Sequence, residues 1–337
     1  MGKLWKWMWR VLFMLVLTVA AFVWGYAPIR ARRAAARDEA FRARFQAQHD
    51  AIDAPFHHKD RTVNGLQWHY VDEGPTDGEV ILFLHGLPEG WYSWRYVLPL
   101  VDHKYRLIAI DMKGYGRSEK QDADYNWHHV AQQTADLMEA LGIHKYYVVS
   151  HDWGTIIGSV LVGDHPEHIL GYVRMEADLI RRAAGNQLEA YMKKPQWLLF
   201  QSYWMGTYFM QDPAGFLDLV YSPKRMTTPF KAEDRDYLAY EFSRPGVAAA
   251  VPHYFLAENW DLDAAIGKIC ANTLPFPVLQ LQADHDPAQP PSLFADVSSQ
   301  CPHVKLEWVK DASHFSNFDQ PAQVADAINR FVHSTKP

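Results

Sequence analysis

The stretch Tyr146-Tyr147-Val148-Val149-Ser150-His151-Asp152-Trp153-Gly154-Thr155 constrains this chain more than any other. Its first half is β-branched and aromatic, the composition of a buried strand. It breaks at 150–154 and continues as a helix-like segment at 155–161. Small residues two places before and two places after Asp152 suit a strained strand-to-helix turn that lifts one side chain above the end of a sheet. In the usual form both small positions are glycine and serine is lifted. Here Ser150 takes the first small position and Asp152 is the lifted residue. The plain alternative is a polar turn after a strand.

Short apolar runs recur on both sides of this turn. Segments 61–63, 66–71, 80–84, 105–110, 169–175, 277–282 and 304–309 read as strands, with Asn64-Gly65 as a tight turn. Segments 91–100, 127–141 and 321–332 read as helices. Strands alternating with helices predict an α/β fold with a mostly parallel sheet, whose ligands gather at the C-terminal strand ends. The interval between the strands at 169–175 and 277–282 is far too long for a plain crossover. Residues 181–265 are therefore expected to form an inserted, mainly helical cap. Fifteen aromatics lie in 197–260. Any one of them more readily fills the cap's own core, but some should line a pocket that the cap closes from water.

The N-terminal arm has a separate character. Residues 11–29 carry no charge, a length that nearly spans a hydrocarbon core. Trp5, Trp7 and Trp9 flank one end and Trp24 and Tyr26 the other, as interfacial residues do. The expectation is a transmembrane anchor within 1–29, followed by a basic helical stalk over 30–59 that can lie against lipid head groups. Phe41 and Phe45 share one face of that stalk. A cleaved signal peptide, with Val19-Ala20-Ala21 at the cleavage site, is the competing reading. Arg30, Arg32, Arg33 and Arg37 outweigh Lys3, Lys6 and Arg10, which places the main domain on the cytoplasmic side. Residues 1–50 carry a net +6 and the remainder −12. An acidic main domain argues against a nucleic-acid partner, and the basic arm points to a membrane surface.

Two cysteines, Cys270 and Cys301, are too few for a disulfide framework and are compatible with a reduced compartment. The pairs His57-His58 and His128-His129 lack zinc-ligand spacing, and Gly114 and Gly116 do not form a dinucleotide loop. No metal and no cofactor is expected.

Three strand ends hold Asp152, Asp286 and His314, in the chain order nucleophile, acid, histidine. Together with His85-Gly86-Leu87-Pro88-Glu89-Gly90-Trp91-Tyr92-Ser93-Trp94-Arg95, the segment 111–118, and His151-Asp152-Trp153-Gly154, they make residues 60–335 resemble closely the epoxide hydrolase branch of the α/β-hydrolase fold. The family's HGxP motif usually has Phe at its variable position, where this chain has Leu87. The resemblance implies a core over 60–180 and 266–337 around the cap. It implies Asp152 as a nucleophile that forms an ester with a small hydrophobic epoxide, and His314 as the base that activates water. Asp286, or alternatively Glu176, would orient that histidine. The backbone N–H groups of Leu87 and Trp153 would hold the oxyanion. Two cap phenols, or a histidine and a phenol, would serve the leaving oxygen: Tyr254, with His253 as its rival, and Tyr203, with Tyr208 second.

Two other functions compete. A haloalkane dehalogenase shares the aspartate nucleophile but needs two halide donors. Trp153 suits one, Leu87 cannot be the other, and Trp204 is the candidate that remains. A membrane-tethered ligand-binding protein on a hydrolase scaffold would be expected to carry a broken triad.

Overall fold

The computed structural model describes Met14 and residues 27–122, 124–179, 200, 202–223, 225–256, 262–271 and 273–335. Eight strands form one sheet in the order β1-β2-β4-β3-β5-β6-β7-β8. β1 (His58–Val63) and β2 (Leu66–Glu73) make an antiparallel hairpin through Asn64 and Gly65, and β2 runs antiparallel to β4 (Arg106–Ile110). β3 (Val80–Leu84), β5 (Tyr146–His151), β6 (Ile169–Met175), β7 (Val278–Ala283) and β8 (Val304–Val309) join β4 in a parallel array. β3, β5 and β7 are buried along their whole length, because both faces of the sheet are covered.

The chain order explains where a site can form. From the central β3 the chain moves to β4 on one side, then crosses back to β5 on the other. The turns that leave β3 and β5 diverge there and open a crevice at the C-terminal strand ends. The HGxP turn and the Asp152 turn are its two walls.

The helices follow their local signals. Asn126 caps α2 (Trp127–Ala140) by accepting from the N–H groups of His128 and His129. α3 (Trp153–Asp164) follows the Asp152 turn directly. The helix expected over 91–100 is instead two short 3₁₀ turns, Trp91–Trp94 and Leu98–Leu100. Pro99 has no N–H to extend a helix, and Trp91, Tyr92, Trp94, Val97 and Leu98 are all buried rather than striped along one face.

Residues 181–199, 201, 224 and 257–261 of the expected cap lie outside the described residues. The described part contains α4 (Tyr203–Met210), α5 (Pro213–Val220) and α6 (Ala232–Phe242), with single turns at Val247–Ala250 and His253–Leu256. α7 (Leu262–Cys270) runs through residue 265 and packs on α3, where Lys268 donates to the Gly163 carbonyl at 2.7 Å. Cys270 ends α7 and is bonded to Cys301, just ahead of β8. Two cysteines make no framework, but these two make one cross-link, which a reduced compartment would not favour. Thirty-one residues separate them in sequence, and only the packing of α7 beside β8 brings them together. α8 (Pro321–Ser334) lays Val324, Ala325, Ile328 and Val332 against the sheet.

Residues 1–26, apart from Met14, lie outside the described residues, and with them all of the expected anchor except Met14 and residues 27–29, which open the first long helix. Among the described residues no helix is long and apolar enough to cross a membrane. The expected stalk is a helix, α1 (Ala27–Asp53), but it is not free-standing. Phe41, Phe45, His49 and Asp53 recur every four residues, so they line one face. That face lies on α6 of the cap. The His49 ring stacks 4.0 Å from Tyr240 and 4.6 Å from Tyr237, and its Nε2 is 2.6 Å from Glu241. Tyr237 donates its hydroxyl to Asp53 at 2.6 Å, and Arg117 of the core pairs with the same carboxylate. α1 is a strap across cap and core.

Candidate active site

Asp152 sits between β5 and α3 with φ 48° and ψ −116°, a left-handed backbone that only strong surrounding constraints impose on a non-glycine residue. The turn projects its carboxylate into the crevice, where the side chain keeps 24% of its exposure. Ser150, which departs from the glycine expected two residues earlier, is accommodated by Gly158 across the turn. A β-carbon at Gly158 would come within 2.9 Å of the Tyr172 hydroxyl and 3.2 Å of Ser150 Oγ. The space left by that absent carbon holds the Ser150 hydroxyl, which donates to Tyr172 at 2.9 Å.

The opposite wall comes within contact of the carboxylate. A β-carbon on Gly86 would lie 2.6 Å from Asp152 Cβ, so only glycine fits. The next residue, Leu87, donates its backbone N–H to Asp152 Oδ1 at 3.0 Å. His314, in the turn after β8, brings Nε2 to 3.2 Å from the other oxygen, Oδ2. Its Nδ1 lies 2.8 Å from Asp286 Oδ2, after β7. Asp286 is fixed in turn by the N–H groups of Ala288 and Gln289, at 2.7 and 2.8 Å on Oδ1. Asp152, His314, Asp286 and the Leu87 N–H are thus brought together in one hydrogen-bonded row.

Electrostatics follow from that row. Burial pushes the Asp152 carboxyl up, but the hydrogen bond and charge of His314 outweigh it and hold the acid at about 2. Burial likewise disfavours the His314 cation, yet Asp286 on one side and Asp152 on the other keep the ring protonated well above the ordinary histidine range. At rest the ring is an imidazolium between two carboxylates.

Glu176, the alternative acid, does not touch His314. It sits fully buried at φ 45°, accepts from the Ala283 N–H at 3.1 Å and lies 3.6 Å from His151 Nε2. Burial raises it to about 8, so it is largely protonated at neutral pH.

A second buried network lies beneath the row. His151 has Nδ1 2.9 Å from Glu89 and donates from Nε2 to the His314 backbone carbonyl at 2.7 Å. Burial opposes the charge on His151, but Glu89 overcomes it and raises the ring to about 9. Glu89 also accepts from the Gly86 N–H at 2.6 Å and from the Asn317 amide at 3.2 Å. One buried carboxylate therefore ties the HGxP turn, the Asp152 turn and the His314 turn together. The sequence signal for it was the acid three places after Gly86, in a segment otherwise aromatic. It could not show which histidine the acid meets.

The cap phenols stand differently. Tyr254 is buried beside Trp153, with ring centroids 5.9 Å apart, and its hydroxyl donates to the Lys113 carbonyl at 2.7 Å. Tyr203 meets His253 at 5.0 Å and Trp204 at 5.9 Å, contacts with the cap rather than the triad. Trp204 is 64% exposed on the outside of α4. Two phenols outside the sequence-based selection do feel the Asp152 charge. Tyr115 and Tyr221 are pushed well up, first by burial and then by nearby acids that include Asp152. Tyr221 donates to the Pro88 carbonyl at 3.3 Å and its ring lies 4.3 Å from Phe315. Nothing in the spacing of the aromatic cap singled it out.

The sequence profile of the alpha/beta hydrolase fold family matches residues 79–321. "Epoxide hydrolase 2" of Caenorhabditis elegans is 29% identical over 289 residues, covering 82% of this chain and 80% of the relative. Among solved structures, the epoxide hydrolase CorEH superposes with a TM-score of 0.72 at 21% identity, covering 83% of this chain and all of that one. A haloalkane dehalogenase variant, DbeA-M1 from Bradyrhizobium elkanii, reaches 0.68 at 23% identity, covering 83% of this chain and 97% of that one. At these identities the two structures share the fold and no more. The chain belongs to the α/β-hydrolase fold family, as an epoxide hydrolase-like hydrolase.

Proposed function

We propose that the protein adds water to a hydrophobic epoxide to give a vicinal diol, through an ester on Asp152. The observation that carries this reading is the pairing of an aspartate at the lifted position with both His314 and the Leu87 N–H. A carboxylate is a weak nucleophile in water. Held in a closed pocket beside a strained ring carbon, it forms an ester. In that step Asp152 bonds to an epoxide carbon, the carbon–oxygen bond of the ring breaks, and the freed alkoxide takes a proton. Esterification also removes one of the two charges that keep His314 protonated, so the ring gives up its proton as the alkoxide needs one.

The neutral ring then accepts a proton from water, which attacks the ester carbonyl. The Leu87 N–H already points at the oxygen that becomes the oxyanion, and the Trp153 N–H is the second proposed donor. The acyl–oxygen bond breaks, the diol leaves with the proton from His314, and the new carboxyl group passes its own proton to the ring, so that Asp152 regains its charge and His314 its resting cation. Asp286 holds the ring's tautomer and orientation throughout. Tyr254 and Tyr203 are the phenols proposed to steady the alkoxide. For Tyr254 this requires exchanging its bond to the Lys113 carbonyl for one to substrate.

Halide release is disfavoured as the main activity, because neither described candidate for the second donor suits it: Leu87 has no side-chain donor and Trp204 faces outward. The test is single turnover in oxygen-18 water with a panel of aryl, aliphatic and fatty epoxides, alongside 1-haloalkanes. Diol formation with the label entering the peptide that carries Asp152, and neither in Asp152→Ala, is the expected result. Label found only in the diol would exclude the ester.

The apolar run at 11–29 is proposed to anchor the chain in a membrane. The Cys270–Cys301 bond favours an oxidising compartment for the catalytic domain, against the cytoplasmic side read from the flanking charges. Thiol alkylation of the denatured, unreduced protein drawn from native membranes decides between them: blocked cysteines mean the oxidising side, alkylated ones the cytoplasm.

A further inference from the structure

We propose that helix α4 of the cap lies on an anionic bilayer surface, so that the cap, and not the arm alone, meets the membrane. The proposal rests on the reading of residues 11–29 as an anchor.

α4 carries two adjacent exposed apolar side chains, Trp204 at 64% and Met205 at 45% exposure. Such a pair on one surface helix is the composition of an interfacial element, with tryptophan favoured at the head-group level. Its position in the fold is the second observation. The uncharged run ends at Ile29, itself 51% exposed, and the next residue touches α4. The Arg30 guanidinium sits 3.3 Å over the Tyr208 ring and donates to the Tyr208 carbonyl at 3.5 Å. Tyr208 lies four residues after Trp204 and shares its helix face. Arg37 donates to the carbonyl of Gln211, where α4 ends, at 2.6 Å. The first turns of α1 therefore run beside α4, and a chain that leaves a bilayer at residue 29 brings Trp204 to the head groups with it. Arg32 and Arg33 are exposed on the same stretch and supply the positive charge that anionic lipid attracts.

The inner side of α4 leads to the chemistry. At Gly206 the helix backbone closes on Phe200 and Pro252. Phe200 stacks on Phe255 at 4.5 Å, and Phe255 lies 4.6 Å from Trp153, the neighbour of Asp152. Among the described residues, α4 is thus linked through Phe200 and Phe255 to the aromatic wall of the site.

The test uses the full chain with Met205→Cys carrying a polarity-sensitive fluorophore, the two native cysteines being bonded to each other. The protein is reconstituted into phosphatidylglycerol–phosphatidylcholine vesicles, and flotation is scored with quenching by lipids spin-labelled near the head group. Flotation with about twofold quenching at residue 205, and none for the same label at Gln132→Cys on α2, is the expected result. Arg32→Ser with Arg33→Ser should reduce the quenching more than the flotation. Flotation without quenching would overturn the docking of α4 while leaving the anchor standing. A blue-shifted but unquenched label would also overturn it, in favour of a protein partner on the same face. No flotation and no quenching would overturn both.

Discussion

His151 donates to the backbone carbonyl of His314 at 2.7 Å, so the residue before the proposed nucleophile positions the loop of the proposed base. A carbonyl can only accept, and the Glu89 carboxylate accepts from the other ring N–H, so His151 works as a doubly donating cation. Two turns that are 163 residues apart in sequence are locked in register by one buried ring.

Glu89→Gln should test that lock. It leaves His151 without its counter-charge in a site with no exposure. Breaking one side of a buried pair costs about 3–5 kcal/mol. A clear fall in melting temperature is expected, with kcat reduced more than KM as the three turns loosen. Unchanged stability measured by calorimetry would show that Glu89 carries no such charge.

Asp286→Asn and Glu176→Gln should separate the two acids. Losing the acid that orients a catalytic histidine cost about 10⁴-fold in kcat in the serine-protease example. A loss approaching that size is expected for Asp286→Asn, and little loss for Glu176→Gln, which keeps an acceptor for the Ala283 N–H. The reverse order in steady-state turnover would hand the role to Glu176.

The pH dependence of stability has a defined sign. Glu176, raised by burial from 4.5 to about 8, binds its proton more tightly folded than unfolded. Its contribution is fully present below 4.5 and is lost as pH rises toward 8. His151, raised from 6.5 to about 9, adds a loss in the same direction over the upper part of that range. Glu176→Gln should therefore flatten the decline in melting temperature between about pH 5 and 8, while the wild type falls. A parallel decline in both proteins would mean that Glu176 is ionised throughout.

Gly86→Ala places a carbon 2.6 Å from Asp152 Cβ and 2.8 Å from its Oδ1. Either the HGxP turn or the carboxylate must move, and both hold groups proposed to act in the reaction. A displacement of about 1 Å costs about 100-fold in rate. That loss, with the far-ultraviolet circular dichroism unchanged, is the expected outcome of assays on the purified variant.

Reduction of the Cys270–Cys301 bond should lower stability by about 2–4 kcal/mol, the usual range for a native cross-link. Urea titrations with and without a reductant, and of Cys270→Ala, measure it directly.

The strand ends were readable because they combine two independent signals. An apolar run stops, and a short chemical motif begins at the same place; Asp152, Asp286 and His314 all meet both conditions. The 91–100 segment was not readable, because its aromatics are buried on every side and obey neither the helical nor the strand period. Ser150 departs from the usual glycine, and what accommodates it is Gly158 across the turn, a compensation eight residues away that depends on the fold of α3. Tyr254 was selected by its place in the cap, but its hydroxyl partner is a backbone carbonyl of the core, which no side-chain pattern encodes. The Cys270–Cys301 bond is illegible in the sequence for the same reason: the proximity of the pair belongs to the packing of α7 against β8.

The strap formed by α1 bears on how the protein can be handled and how it can diverge. His49, Asp53 and Phe45 are interior residues that happen to precede the catalytic domain. A shortened chain that starts at the first strand would strip one wall from the cap and leave Tyr237 and Glu241 facing solvent, so the cut that spares the enzyme falls ahead of Ala27. The same joint ties the arm's fate to that of the lid: a lineage can exchange the membrane-directed first turns of the chain freely, but only as far as the residues that grip α6.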